Sequence, residues 1–246
     1  VSPAPIATLN ANATEWALFL DFDGTLVEIA EHPDAIIVPP DLPALLCNLA
    51  QRLNGAIAIV SGRSIAGLDT LLDGALPAMA GVHGLERRDA AGQLFQAVDK
   101  TGEFAKARAS IRDFVTAHPG THWEDKGNAL ALHFRNAPEA GPAALAMLSA
   151  EQQSLGDEFI LQKGKQVLEL KPSGQHKGTV VETYMNERPF KGRLPVFLGD
   201  DVTDEDAFAV VNAQGGHSIR VGHAPQSIAR YQIDTVNEAL EWLSRL

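Results

Sequence analysis

Residues 16–20 (Trp-Ala-Leu-Phe-Leu) carry no polar side chain, and the run stops abruptly at Asp21. A strand with one face in water alternates apolar and polar residues. An unbroken run belongs to a strand covered on both faces, as in a parallel sheet between layers of helices. The pattern recurs. Residues 56–60 (Ala-Ile-Ala-Ile-Val) end at Ser61-Gly62-Arg63, and residues 195–198 (Pro-Val-Phe-Leu) end at Gly199-Asp200-Asp201. Helical stretches alternate with these runs. In residues 41–54, Leu42, Leu45, Leu46, Leu49 and Leu53 make one apolar stripe, Pro43 falls in the first turn, and Gly55 closes the end. Further strands are expected over 78–82 and 218–221, and helices over 64–72, 176–187, 204–212 and 238–245. The fold class is therefore α/β, with a Rossmann-like parallel sheet core and helices on both faces.

The style changes in the middle of the chain, where short runs alternate apolar and polar residues. Residues 122–126 and 128–134 flank Gly127 and read as a hairpin; residues 159–162 and 166–170 flank Lys163-Gly164-Lys165 and read as another. Helices are expected over 103–117 and 142–155. Antiparallel strands with helices on one side form an α+β layer. The domain reading is a discontinuous core, residues 1–84 and 172–246, interrupted by an inserted α+β cap domain, residues 85–171.

The charge balance excludes several classes of partner. With 31 acidic and 20 basic residues among 246, the formal charge is −11. Nucleic-acid and anionic-membrane binders carry the opposite sign, so neither partner is expected. No apolar run approaches the roughly 18 residues that cross a bilayer. Cys47 is the sole cysteine, which forbids an intrachain disulfide and suits a reducing, cytoplasmic location. Residues 1–10 show no signal-peptide pattern. Asn12-Ala13-Thr14 matches the glycosylation sequon and, without such a signal, reads as a chance match.

Open parallel sheets bind ligands beyond the carboxyl ends of their strands. Two acidic clusters stand there: Asp21-Phe22-Asp23-Gly24-Thr25 and Gly199-Asp200-Asp201-Val202-Thr203-Asp204. At an effective dielectric of 20, two unit charges 4 Å apart repel by about 4 kcal/mol. A divalent cation offsets that, and a donor set of carboxylate oxygens without nearby Cys or His points to Mg²⁺ rather than zinc. The eight histidines show no zinc spacing. Val60-Ser61-Gly62-Arg63-Ser64 is not the Gly-x-Ser-x-Gly elbow of a serine hydrolase.

Taken together, these stretches resemble the haloacid dehalogenase superfamily of phosphotransferases. Asp21-Phe22-Asp23-Gly24-Thr25 is similar to its first motif, Ser61 to its second, Lys177 to its third and Gly199-Asp200-Asp201 to its fourth. An insert between the second and third matches members with an α/β cap. Within the superfamily, Val60-Ser61-Gly62-Arg63-Ser64, Gly81-Val82-His83-Gly84 and Gly199-Asp200-Asp201-Val202-Thr203-Asp204-Glu205 resemble the trehalose-6-phosphate phosphatases.

The resemblance implies a Mg²⁺-dependent sugar-phosphate phosphatase working through an aspartyl phosphate. Asp21 would attack phosphorus, and Asp23 would act as acid and then base. Asp23 must begin protonated, so its carboxyl is expected to be raised by acidic neighbours. The metal ligands would be Asp21, the Asp23 carbonyl and Asp200, with Asp201 and Asp204 one step removed. Ser61, Gly62 and Lys177 would hold the phosphoryl oxygens. Glu124-Asp125-Lys126-Gly127 and Val167-Leu168-Glu169-Leu170-Lys171-Pro172 are similar to cap segments of the family, so Glu124, Lys126 and Glu169 would contact the sugar. A trehalose-phosphate synthase is the candidate protein partner. The alternatives are another capped sugar-phosphate phosphatase, a phosphomutase, or a non-catalytic sugar-phosphate sensor.

Overall fold

The apolar runs are neighbouring strands in the middle of a nine-stranded sheet. The computed structural model describes residues 3–6, 9, 13–30, 35–96, 101–224 and 226–246. Asn12, the acceptor of the sequon, lies outside the described residues. The chain begins β1 (Ala4–Pro5), β2 (Trp16–Leu20), α1 (Leu42–Arg52), β3 (Ile57–Val60), α2 (Ile65–Leu72), β4 (Met79–Gly81), β5 (Glu86–Arg88) and β6 (Leu94–Gln96). It continues with α3 (Ala105–Ala117), β7 (His122–Asp125), β8 (Leu130–His133), α4 (Gly141–Leu155), β9 (Phe159–Gly164) and β10 (Val167–Pro172). It ends with α5 (Lys177–Met185), β11 (Leu194–Gly199), α6 (Glu205–Ala213), β12 (His217–Val221), β13 (Tyr231–Ile233) and α7 (Val236–Ser244).

Two compact units result, one of Val1–Phe95 with His176–Leu246 and one of Gln96–Gln175. The sequence reading set the bounds at 84/85 and 171/172. In the structure β5 pairs antiparallel with β4, and β6 lies outside it, so this charged stretch belongs to the first unit's sheet.

In the first unit the strand order is β1-β13-β12-β11-β2-β3-β4-β5-β6. Every pairing from β1 to β4 is parallel. From β2 the chain steps through α1 and α2 toward β4; from β11 it steps through α6 toward β13, the other way. Right-handed crossovers that travel in opposite directions put their helices on opposite faces. The packing agrees: α5 packs on α6, and α1 on α7. Covered on both sides, β2 and β3 are wholly buried, which is why their sequences have no polar member. Aromatic rings fill the space beneath, with Phe19 stacked on Phe190 at 5.4 Å.

The second unit is a four-stranded antiparallel sheet of order β7-β8-β10-β9. Leu130, Leu132, Leu168 and Leu170 turn one face toward Ile111 and Phe114 of α3 and Leu148 of α4. Alternation leaves Glu124, Ala131, His133 and Glu169 on the other face. One turn differs from expectation. Gly164 pairs with Val167, so Lys163 and Gly164 belong to β9 and the turn is Lys165-Gln166. Gln166 adopts φ 60°, a left-handed turn conformation taken by a residue other than Gly.

Candidate active site

The chain departs from β2 and from β11 in opposite directions, so the gap between their carboxyl ends is a topological switch point. Register brings the two ends level. Leu20 pairs with Leu198, and the Asp21 N–H donates to the Leu198 carbonyl at 2.9 Å. Asp21 and Asp200 therefore emerge side by side. One carboxylate oxygen from each of Asp21, Asp200 and Asp204 lies within 4.8 Å of the other two, and all three residues are buried.

Lys177, the first residue of α5, inserts its ammonium among them. Its Nζ is 2.9 Å from Asp21 Oδ1 and 2.7 Å from Asp204 Oδ1. The helix start is fixed by His176 and Thr179, whose side chains each accept from the other's backbone N–H. Burial alone would push Lys177 down, but Asp204 and Asp21 hold it above the ordinary lysine value. The Asp21 carboxyl is raised well above the carboxylate range by burial first, then by Asp204; Lys177 opposes this and Asp200 adds to it. Three buried carboxylates against one ammonium leave a surplus of negative charge.

The backbone is shaped for this closeness. Gly24 sits at φ 80°, and a Cβ there would lie 2.3 Å from the Asp200 carboxyl. Only glycine lets the turn after β2 pass so near a carboxylate.

The expected site residues divide in position. Asp21 and Asp200 join the cluster. Its third carboxylate is Asp204, which the sequence reading had set one step removed; both its oxygens are engaged, Oδ1 by Lys177 and Oδ2 by the Asp201 N–H at 2.8 Å. The Asp23 side chain turns to Arg63, which donates Nε to Oδ2 and Nη2 to Oδ1, both at 2.7 Å. Asp23 thus faces a guanidinium, while the acidic neighbours Asp200 and Asp204 gather around Asp21. Ser61 directly follows β3, almost fully buried, and its Oγ accepts from the Arg63 N–H at 3.1 Å. It does not cap α2, a task done by Ser64, which accepts from the Gly67 N–H. Beside Ser61, a Cβ on Gly62 would come within 2.7 Å of His83 Nε2. Arg63 and His83 stand in the sequence patterns without an expected role. The available signal was a cation two residues beyond Ser61 at a strand end.

In the second unit, Lys126 Nζ lies 3.4 Å from Glu169 Oε1 and 3.9 Å from Glu124 Oε2. His133 Nε2 is 3.8 Å from the same Glu124 oxygen. Burial works to raise the Glu124 carboxyl; His133 and Lys126 outweigh it and hold it below its ordinary value. The three expected sugar-contact residues are therefore brought together, with His133 added.

Hard oxygen donors crowded in a buried group with surplus negative charge suit a small divalent cation. The fold is that of a solved haloacid dehalogenase-like hydrolase from Bacteroides thetaiotaomicron, which superposes with a TM-score of 0.66 at 13% identity, covering 94% of this chain and 98% of that one. The chain belongs to the trehalose-phosphatase family, whose sequence model matches residues 19–237. It is 41% identical over 217 residues to a probable trehalose-phosphate phosphatase of Sinorhizobium fredii, covering 88% of this chain and 82% of that one. It is 38% identical over 242 residues to trehalose-6-phosphate phosphatase of Escherichia coli, covering 98% and 90%. Among solved structures, a trehalose-6-phosphate phosphatase related protein superposes with a TM-score of 0.76 at 26% identity, covering 93% of this chain and 95% of that one. The protein is an enzyme of the phosphatase class. Among the described residues, no helix is long and apolar enough to cross a membrane.

Proposed function

We propose that the chain hydrolyses trehalose 6-phosphate to trehalose and phosphate through a phosphoryl group carried on Asp21. The observation that carries this reading is Asp21 itself: a buried carboxylate at a strand end, 2.9 Å from a buried ammonium and grouped with Asp200 and Asp204. An Asp21 oxygen attacks phosphorus as the bond from phosphorus to the sugar oxygen breaks. Asp23 gives that oxygen its proton. Water then attacks the phosphorus of the aspartyl phosphate, Asp23 takes the water's proton, and phosphate leaves with Asp21 restored.

Lys177, the Ser61 hydroxyl and the Gly62 amide hold the phosphoryl oxygens in this reading, and Asp204 keeps Lys177 aimed. The carboxylates of Asp21 and Asp200 and the Asp23 carbonyl would hold Mg²⁺, which would supply positive charge to offset the negative charge of the phosphate dianion. Glu124, Lys126 and Glu169 give the second unit its role as reader of the sugar hydroxyls, since a stack of hydroxyls requires donors and acceptors rather than an apolar pocket. A trehalose-phosphate synthase is the partner this reading carries, and the cytoplasm is its location.

The test is phosphate release from a panel of sugar phosphates, with and without Mg²⁺, by the wild type and Asp21→Asn. Trehalose 6-phosphate should lead the panel and chelation should stop release. Asp21→Asn should lose roughly a thousandfold or more. Wild-type turnover by Asp21→Asn would overturn the reading.

A further inference from the structure

β11 ends at Gly199, and the chain leaves the sheet there with two peptide carbonyls, those of Asp200 and Asp201, beyond the last pairing with β12. In that ladder Gly199 stands opposite Arg220. Arg220 is only 5% exposed. Its guanidinium reaches over the end of the strand: Nη2 donates to the Asp200 carbonyl, and Nη1 donates to the Asp201 carbonyl at 3.3 Å. Nη1 also meets Glu205 Oε1 at 3.2 Å, while Glu205 Oε2 accepts from the Ile228 N–H at 2.9 Å. The side chain thus supplies the donors that a longer β12 would have offered through its backbone. From the other side, the Asp201 N–H is held by Asp204.

We infer that Arg220 is a positioning residue for the divalent cation. By clamping the carbonyls of Asp200 and Asp201, it fixes the peptide plane from which the Asp200 carboxylate projects toward Asp21. The inference rests on the reading of the acidic cluster as the cation site. A planar fork can bond two carbonyls at once, which a lysine ammonium on a flexible stem does poorly.

The sign of the effect separates this role from plain electrostatics. Arg220 is a cation close to a cation site, so its charge alone opposes binding. Removing that charge should tighten Mg²⁺ if electrostatics rules, and weaken it if positioning rules. The experiment is calorimetric titration of the full chain with MgCl₂, comparing wild type, Arg220→Met, Arg220→Lys and Asp200→Asn, with circular dichroism to confirm folding. Weakening of about tenfold or more is expected in both Arg220 variants, the range seen when groups that orient metal ligands are lost. Arg220→Lys keeps the charge and decides the matter if Arg220→Met does not fold. Wild-type or tighter binding in a folded Arg220 variant, with binding lost in Asp200→Asn, overturns the positioning role alone. Wild-type binding by Asp200→Asn places the ion elsewhere, and the cluster reading falls together with the inference.

Discussion

Arg63 grips both oxygens of Asp23 at 2.7 Å, so the carboxylate two residues beyond Asp21 points at a guanidinium across 40 residues of sequence. Arg63 also lies over the Phe22 ring, 5.8 Å from its centroid. The pair ties the turn after β2 to the turn after β3. Each Asp23 oxygen keeps a second lone pair, through which it can meet a substrate oxygen while Arg63 holds the carboxylate in place.

The proton role of Asp23 is tested by leaving group. A sugar alkoxide needs a proton as it departs, whereas 4-nitrophenolate departs without one. Asp23→Asn should therefore lose turnover of trehalose 6-phosphate by about 10²-fold or more. The first-step rate for 4-nitrophenyl phosphate, read as a burst of nitrophenol, should fall much less. Equal losses in that step would remove the acid role.

Lys177 is almost fully buried against Asp21 and Asp204. Removing one member of a buried ion pair leaves uncompensated charge and costs about 3–5 kcal/mol. Lys177→Met should shift the denaturant midpoint accordingly, and Mg²⁺ should restore part of the loss by replacing the missing charge. A midpoint unchanged from wild type would show that the three carboxylates do not need the ammonium.

Glu169 is buried on the polar face of the second unit's sheet, 3.4 Å from Lys126. Glu169→Ala should raise KM for trehalose 6-phosphate about tenfold or more and leave turnover of a small aryl phosphate near wild type. Parallel losses on both substrates would point to damaged folding rather than a lost sugar contact.

Asp125 accepts from Arg108 at 2.7 Å and from the Gly127 N–H at 2.9 Å. Hydrogen bonding from Arg108 is the main cause holding its carboxyl below the ordinary aspartate value. A carboxyl lowered by folding contributes stability above its unfolded value of about 3.9, and loses it as pH falls through the lower folded value. The difference in melting temperature between wild type and Asp125→Asn should be full at pH 6 and shrink below pH 4. A difference that stays constant with pH would mean that the ionised pair contributes nothing.

The sequence was most readable where one local requirement dominates. Residues 16–20 were expected as a strand and form one over the same span, because a strand covered on both faces tolerates no polar residue. The start of α2 was similarly visible in Ser64. β5 was not visible: Glu86-Arg87-Arg88 has no apolar alternation, and it is a strand because the exposed edge of β4 accepts it. The turn is expected at Lys163-Gly164-Lys165 because Gly164 has the character of a turn residue, yet pairing with Val167 continues through it and leaves Lys165-Gln166 as the turn.

By itself, the sequence determined the layered α/β core, the carboxylates at two strand ends and the lysine opening a helix, since hydrophobic run length and helix punctuation act over a few residues. Tertiary structure alone decided the partners. Register and crossover direction bring Asp204 to Lys177 across 27 positions, Arg63 to Asp23 across 40 and Arg220 to Asp200 across 20. Charges pair by distance in space, and that distance is set only once the strands have found their order.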